Sequence, residues 1–536
     1  MARAGCENGN HDENFWNFQR MKNIESAVQI VSELKNHQVS EFVFCAGVRN
    51  SAIFKALKAF DNIKVSYFYE ERSAGFFAMG RTRMTGKPVA VVTTSGTAVA
   101  ELLPSVIESF YQGLPLIVLS ADRPKHFRGT GAPQSIEQKG IFGSYVKNQF
   151  DLQGELLNLS HVSWNGPIHI NVCFDEPLID AEITTELKNR FLKSSDLKNT
   201  PQNTLRGSEP IAQKINFNQY VNPALILGPM DNQQSQIVLS LINQMQVPVY
   251  PEVLSQLRGQ LKNQINEETL NAGVAKGMIQ SLIRVGGVPT VRLWRDLEAK
   301  FRNIPVCSFY DLPLSGLGRP SDFALGIENL ITISELKNNH LDGIITENHK
   351  SQNKLMALLE QLPQSECGLI YKSQSCFLNH DLYLGNSLPI RQADLVFWNH
   401  QFNRCYGNRG ANGIDGQIST FLGWSDNANP SIAMVGDLTA LYDLSALSLE
   451  PFVQGGCAQI MVINNSGGQI FNRIIKDPEF LNQHSLSFKN WAAMFGWTYQ
   501  QWKQIPNDWK AANKTIIELV PDAKQSEEFW NLWKGT

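Results

Sequence analysis

The eight cysteines, at positions 6, 45, 173, 307, 367, 376, 405 and 457, include no pair spaced as CxxC. That absence excludes the usual zinc spacings and a thioredoxin-like motif, and eight in 536 residues are too sparse for a disulfide scaffold. Buried reduced thiols are expected instead. Excess charge is lacking too. Lys and Arg number 47 against 50 Asp and Glu, a net charge of −3, which excludes a general attraction to nucleic acid or to anionic lipid. No stretch reaches the ~18 uninterrupted apolar residues that a membrane span needs. The opening MARAGCENGNHDENFWNFQR is polar and acidic, without the apolar segment of a signal peptide. Low-complexity tracts and short repeats are absent as well. A cytoplasmic protein without membrane insertion is expected.

What is present is ample core material: 43% hydrophobic residues with only 18% charged. At about 150 residues per domain the length suggests three or four units, and three is the working count. Short apolar runs alternate with helical stretches from residue 26 onward: FVFCAG (42–47), VSYFY (65–69), PVAVVTTSG (88–96), LPLIVLSADRP (114–124) and GPIHINVCF (166–174). That rhythm predicts an α/β fold, with parallel sheets flanked by helices. The pattern dissolves after Glu186 into LKNRFLKSSDLKNTPQNTLRG, read as a surface connection. A second α/β unit opens at NPALILGPMD (222–231) and VPVYPEV (247–253). A third follows, with ADLVFWNH (393–400), SIAMVGD (431–437) and AQIMVINN (458–465) read as buried strands. The expected domains are 22–190, 220–355 and 365–536.

Two polar clusters stand where apolar strands stop. One is Gly436-Asp437-Leu438, and the other is Asn464-Asn465-Ser466-Gly467-Gly468, beyond residues 439–463. In an open parallel sheet, neighbouring strands would bring both to one carboxyl edge, where such sheets bind ligands. Mg²⁺ takes about six oxygens, commonly one or two carboxylates completed by phosphate and water. Asp437, the Asn465 side-chain carbonyl and the Gly467 backbone carbonyl would supply three. Each cluster alone also suits an N-cap or a turn. Together they resemble the GD(G)…NN motif of thiamine diphosphate enzymes, with Leu438 in place of the usual glycine.

Such an enzyme needs a buried glutamate beside the cofactor's aminopyrimidine ring nitrogen, and desolvation would raise its pKa. In Tyr69-Glu70-Glu71-Arg72-Ser73, after a strand and ahead of a helix, Glu71 is the candidate. The competing role is an acid at a helix N-terminus, favoured by the macrodipole. Ile414, in Asn412-Gly413-Ile414-Asp415-Gly416, would hold the cofactor bent, unless it is ordinary core.

Most of the chain resembles the 2-succinyl-5-enolpyruvyl-6-hydroxy-3-cyclohexene-1-carboxylate synthases of menaquinone biosynthesis, a thiamine diphosphate family. The resemblance is tightest in residues 70–77, Thr94-Ser95-Gly96-Thr97-Ala98, Ala121-Asp122-Arg123-Pro124, 408–416 and 436–443. It is weakest across the middle domain and in the first 20 residues. It implies a pyrimidine-binding first domain, a central α/β domain and a diphosphate-binding third domain. The implied cofactors are thiamine diphosphate and Mg²⁺ or Mn²⁺. The implied reaction removes CO₂ from 2-oxoglutarate and joins the succinyl-semialdehyde fragment to isochorismate.

Both substrates are dicarboxylic acids, and arginine forks suit carboxylates. By resemblance Arg49, Asn50, Arg123, Arg292, Arg391 and Arg409 contact substrate, Gln134 contacts cofactor and substrate, and Ile470, Phe471 and Ile474 form an apolar wall. Asn386, Ser387 and Thr439 would lie near the cofactor. Where the family generally has Ser and Lys, this chain has Val48 and Val291. Each change removes a polar contact, so altered handling of one carboxylate is expected. The resemblance also implies a homodimer or homotetramer with the first domain of one subunit facing the third domain of its neighbour. Two other readings compete. An acetolactate synthase-like enzyme acting on pyruvate would not call for the four motif-matched arginines Arg49, Arg123, Arg391 and Arg409. A non-catalytic scaffold should have lost Glu71, Asp437 or Asn465.

Overall fold

Three wholly parallel sheets organise the chain. The computed structural model describes residues 21–192, 215, 217–332, 336–377, 379–425, 429–453, 457–472, 474–507, 509 and 512–535. The N-terminal 20 residues, and the expected surface connection from 193 onward, lie outside these.

The first sheet runs, in spatial order, Lys64–Phe68, Glu41–Cys45, Val89–Thr93, Leu116–Asp122, Ile168–Cys173 and Asn148–Leu152. The third runs Cys405–Tyr406, Asp381–Leu384, Ser431–Gly436, Ala458–Ile463, Thr515–Leu519 and Thr498–Trp502. Numbered along the chain within each, both sheets have the order 2-1-3-4-6-5. The middle sheet, of five strands, has the order 5-4-3-1-2. Val89–Thr93, Leu116–Asp122 and Ala458–Ile463 are buried at every position. Helices cover both faces, which explains why these strands read as continuous apolar runs rather than alternating ones.

One expected strand is a helix. ADLVFWNH continues a helix over Leu388–Val396, and the strand of that region is Asp381–Leu384. Pro389 in the first turn favours a helix start, and Ile390, Ala393 and Val396 recur at helical spacing on the buried face. The segment linking Asp437 to the next strand is α-helical over Asp437–Tyr442, and residues Leu444–Phe452 form a 3₁₀ helix containing Pro451.

The first and third domains share one apolar core, in which Val43, Phe77 and Val118 meet Phe421, Val435 and Ile460. Its axis is the pairing of helices Glu71–Thr85 and Gln417–Trp424. Glycines permit the close approach. A Cβ on Gly80 would lie 2.2 Å from the Thr420 carbonyl oxygen, and one on Gly423 would lie 2.2 Å from that of Phe77.

Candidate active site

In both outer sheets the polar residues expected from the sequence follow the carboxyl ends of strands. Arg49 follows strand Glu41–Cys45, Glu71 follows Lys64–Phe68, and Arg123 follows Leu116–Asp122. Asn386 and Ser387 follow Asp381–Leu384, Arg409 and Ile414 follow Cys405–Tyr406, Asp437 follows Ser431–Gly436, and Asn465 follows Ala458–Ile463. The strand order reverses on either side of the first strand of each sheet, the position where open α/β sheets bind ligands.

Glu71 opens its helix but does not cap it. The cap is Glu70, whose carboxylate accepts from the Arg72 and Ser73 amides at 3.0 and 3.1 Å and from Ser445 Oγ at 2.9 Å. Glu71 is left with Thr93 Oγ1 at 3.4 Å. Burial pushes its carboxyl above the ordinary range, and the adjacent Glu70 charge adds to that push. Among the described residues it has no hydrogen-bond partner in the third domain.

The two third-domain clusters do meet. Asp437 is buried; its Oδ1 accepts from the Leu438 amide at 2.7 Å and its Oδ2 from the Gly467 amide at 2.9 Å. His484 Nε2 lies 3.3 Å from Oδ2. Burial raises the Asp437 carboxyl against these two amides. Asn465 donates from Nδ2 to both oxygens of Glu366, at 3.2 and 3.1 Å, leaving Oδ1 buried without a partner. Thr439 is buried on the same turn as Asp437.

This set fits a hard cation. One carboxylate, a partnerless buried amide oxygen and nearby backbone carbonyls leave several positions to phosphate and water, as Mg²⁺ prefers. Among the described residues no group of three His, Cys, Asp or Glu side chains is placed to hold a metal.

A second network surrounds Asn386. Its Nδ2 donates to the carbonyls of Asn408 and Gly413 at 2.8 and 2.7 Å, and its Oδ1 accepts from Arg409 Nη1 at 2.7 Å. Arg391 Nη1 donates to the Ser387 carbonyl at 2.6 Å, and Ser387 sits at φ +74°. Arg409 Nε is buried without a partner, a donor free for an acidic ligand. Ile414 is half-buried in the same loop, which ends at Gly416 with φ +61°. A Cβ on Gly416 would lie 1.9 Å from the Phe76 ring. A cavity of about 480 Å³ reaches Arg409 from between the three domains, with Arg83, Asp231 and Tyr310 on its walls.

The remaining expected residues lie apart from these networks in one chain. Arg49 donates to the Phe174 carbonyl at 3.1 Å and to Glu176 at 3.2 Å. Buried Asn50 is held by the Cys45 carbonyl at 2.8 Å. Arg123 donates to the Pro133 carbonyl at 2.9 Å, beside exposed Gln134. Arg292, 61% exposed, pairs with Asp296 at 3.2 Å, and Val291 is core. Phe471 and Ile474 are exposed, Ile470 partly so, while Val48 is 80% exposed.

Sequence reasoning missed several supporting groups. Glu366 grips Asn465. Buried Glu108 accepts from the Gly410 and Ala411 amides at 2.7 and 2.6 Å. Gln138 accepts from the Gly96 amide at 2.9 Å. Asp443 accepts from Ser419 at 2.8 Å and from Ser73 Oγ at 3.2 Å, tying the first and third domains. Each partner lies far away in sequence, so no local pattern announces it.

Comparison with known proteins gives the family. The family described as thiamine pyrophosphate enzyme, N-terminal TPP binding domain, matches residues 25–141. A 2-succinyl-5-enolpyruvyl-6-hydroxy-3-cyclohexene-1-carboxylate synthase of Bdellovibrio bacteriovorus is 42% identical, covering 96% of this chain and 100% of the relative. The synthase of the same name from Akkermansia muciniphila is 35% identical over 91% and 95%, and that of Geobacillus kaustophilus 28% identical over 92% of each. A chain this similar over its whole length, with the thiamine diphosphate domain in place, belongs to the 2-succinyl-5-enolpyruvyl-6-hydroxy-3-cyclohexene-1-carboxylate synthase family of thiamine diphosphate-dependent enzymes.

Proposed function

We propose that the chain decarboxylates 2-oxoglutarate and joins the succinyl-semialdehyde fragment to isochorismate, using thiamine diphosphate together with Mg²⁺ or Mn²⁺. The observation that carries the reading is that the chain holds both Glu71, left out of its helix's cap and raised by burial, and the partnerless Asn465 Oδ1 on the loop whose Gly467 amide donates to Asp437. Thiamine diphosphate, when bound, supplies the carbon nucleophile and the electron sink that decarboxylation requires.

The chain's own residues do the rest. Glu71 would hold a proton at its carboxyl opposite the aminopyrimidine ring nitrogen, and the burial that raises its pKa favours the protonated form. Asp437, Asn465 Oδ1 and the Gly467 carbonyl would hold the cation, with Asn386, Ser387 and Thr439 beside the diphosphate. Ile414 would support the bent cofactor, with Gln134 contacting cofactor and substrate. Arg49, Asn50, Arg123, Arg292, Arg391 and Arg409 would bind the substrates, and Ile470, Phe471 and Ile474 would exclude water.

The protein would work as a homodimer or homotetramer, with the first domain completing its neighbour's third. Exposed apolar side chains support this: Val48 and Tyr69 in the first domain are 80% and 66% exposed, and Ile474 and Met494 in the third are 82% and 78% exposed. Such residues mark surfaces that partners cover. Seven described cysteines, all unbridged, suit a reducing cytoplasm. No described helix is long and apolar enough to cross a membrane.

Substrate profiling tests the reading. CO₂ release is expected from 2-oxoglutarate and not from pyruvate; the reverse preference would overturn it in favour of an acetolactate synthase-like activity.

A further inference from the structure

The two adjacent asparagines of the metal-side loop are used differently. Asn464 spends its whole amide on the protein: Nδ2 donates to the Leu486 carbonyl at 2.9 Å and to Glu518 at 2.7 Å, while Oδ1 accepts from the Ser466 amide at 3.2 Å. Asn465 spends only its Nδ2, on the two oxygens of Glu366 at 3.2 and 3.1 Å, and its buried Oδ1 keeps no partner. Glu366 is itself 4% exposed, and it does not cap the helix it opens. That cap is Ser365, which accepts from the Gly368 amide at 3.0 Å. The Glu366 amide donates to Ser526 Oγ at 2.9 Å, which anchors the backbone that carries the carboxylate.

An amide side chain is nearly symmetric in shape, and only its partners decide which end points where. Burial pushes the Glu366 carboxyl up to about 7, but the Asn465 Nδ2 contacts to both its oxygens favour the ionised form, which accepts and cannot donate and so admits the NH₂ end alone. We propose that Glu366 is a positioning residue that fixes the orientation of the Asn465 amide, so that Oδ1 rather than the NH₂ group faces the cation. The inference rests on the reading of Asp437, Asn465 and Gly467 as the metal site. Outer-shell acids of this kind commonly govern metal affinity.

Replacing Glu366 by Gln introduces a donor that can pair with Asn465 Oδ1 and turn its NH₂ group toward the metal. In E366Q/N465D the same donor meets a carboxylate, whose second oxygen again faces the cation. The test is Mn²⁺ binding by the full-length protein with thiamine diphosphate, read by electron paramagnetic resonance of free Mn²⁺. E366Q should bind about 10- to 100-fold more weakly. N465D alone sets two carboxylates against each other and should weaken binding, whereas the double variant should return to within about threefold of the parent, a strongly non-additive cycle. Additive effects, or an E366Q variant that binds normally, would overturn the proposal. If E366Q does not fold, the double variant decides: a folded double variant that fails to bind Mn²⁺ overturns it. D437A separates this from the metal-site reading. Unchanged Mn²⁺ binding in D437A means that the site itself is misassigned; loss in D437A without loss in E366Q means that only the role of Glu366 fails.

Discussion

The outer domains share one strand order, yet their strand ends are built for different tasks. After its strands the first domain presents ionisable side chains, Arg49, Glu71 and Arg123. The third presents a lattice of fixed oxygens and amides around Asp437, Asn465, Gly467 and Asn386. Under the proposed function a raised pKa would matter in the first, where Glu71 would exchange a proton, and orientation would matter in the third, where the side chains would present oxygens to a cation. The shared topology supplies the platform, and a few residues after each strand supply the chemistry.

The largest effect should come from the third domain. D437A removes the one carboxylate of the proposed cation site and should lower activity about 1000-fold or more, the scale of the several kcal/mol a catalytic metal contributes, with Mn²⁺ affinity lost in parallel. E71Q should sharpen the contrast from the other side. Turnover should fall about 10²- to 10⁴-fold, the range for a general acid–base group, while Mn²⁺ binding and thermal unfolding stay as in the parent. Loss of metal binding in E71Q would erase the division of labour between the domains.

G416A strikes where the domains meet. The added Cβ collides with Phe76 and the left-handed φ is strained for alanine. Overpacking and backbone strain at about 1–3 kcal/mol each should lower urea-unfolding stability by about 4 kcal/mol. A pH effect is expected in the first sheet. Burial pushes His169 down to about 4, so the folded protein refuses a proton that the unfolded chain accepts near 6.5. Stability should therefore fall as pH drops from about 6.5 to about 4, by about 3 kcal/mol more in the parent than in H169Q, measured by denaturant unfolding. Neighbouring Asp151 acts in the same direction, in a lower pH window. Burial would raise it, but hydrogen bonds from Arg128 and Asn171 prevail and set it at about 2. Its contribution is present above the unfolded value near 4 and is lost only as pH falls through 2.

The strand-end clusters were legible in the sequence because an apolar run stopping at glycine and a polar residue is a local signal. Fold class was legible from the same alternation. ADLVFWNH was not, since a short apolar run fits a buried strand and the end of a buried helix equally well; the proline four residues before it was the discriminating mark. Glu366, Glu108 and Asp443 escaped notice for another reason. Their hydrogen bonds span 99, 302 and 370 residues to Asn465, Gly410 and Ser73, and nothing local separates such an acid from a solvated one. Glu70 and Glu71 show the same limit in miniature, because only the structure tells which of the two caps the helix.

The central claim is tested most directly by following CO₂ release and isochorismate loss together, in purified protein supplied with thiamine diphosphate, Mg²⁺ and 2-oxoglutarate. The account predicts equal amounts of both, abolished when any one component is omitted. CO₂ released with isochorismate untouched would contradict the proposed acceptor, and neither signal from cofactor-loaded protein would contradict catalysis itself.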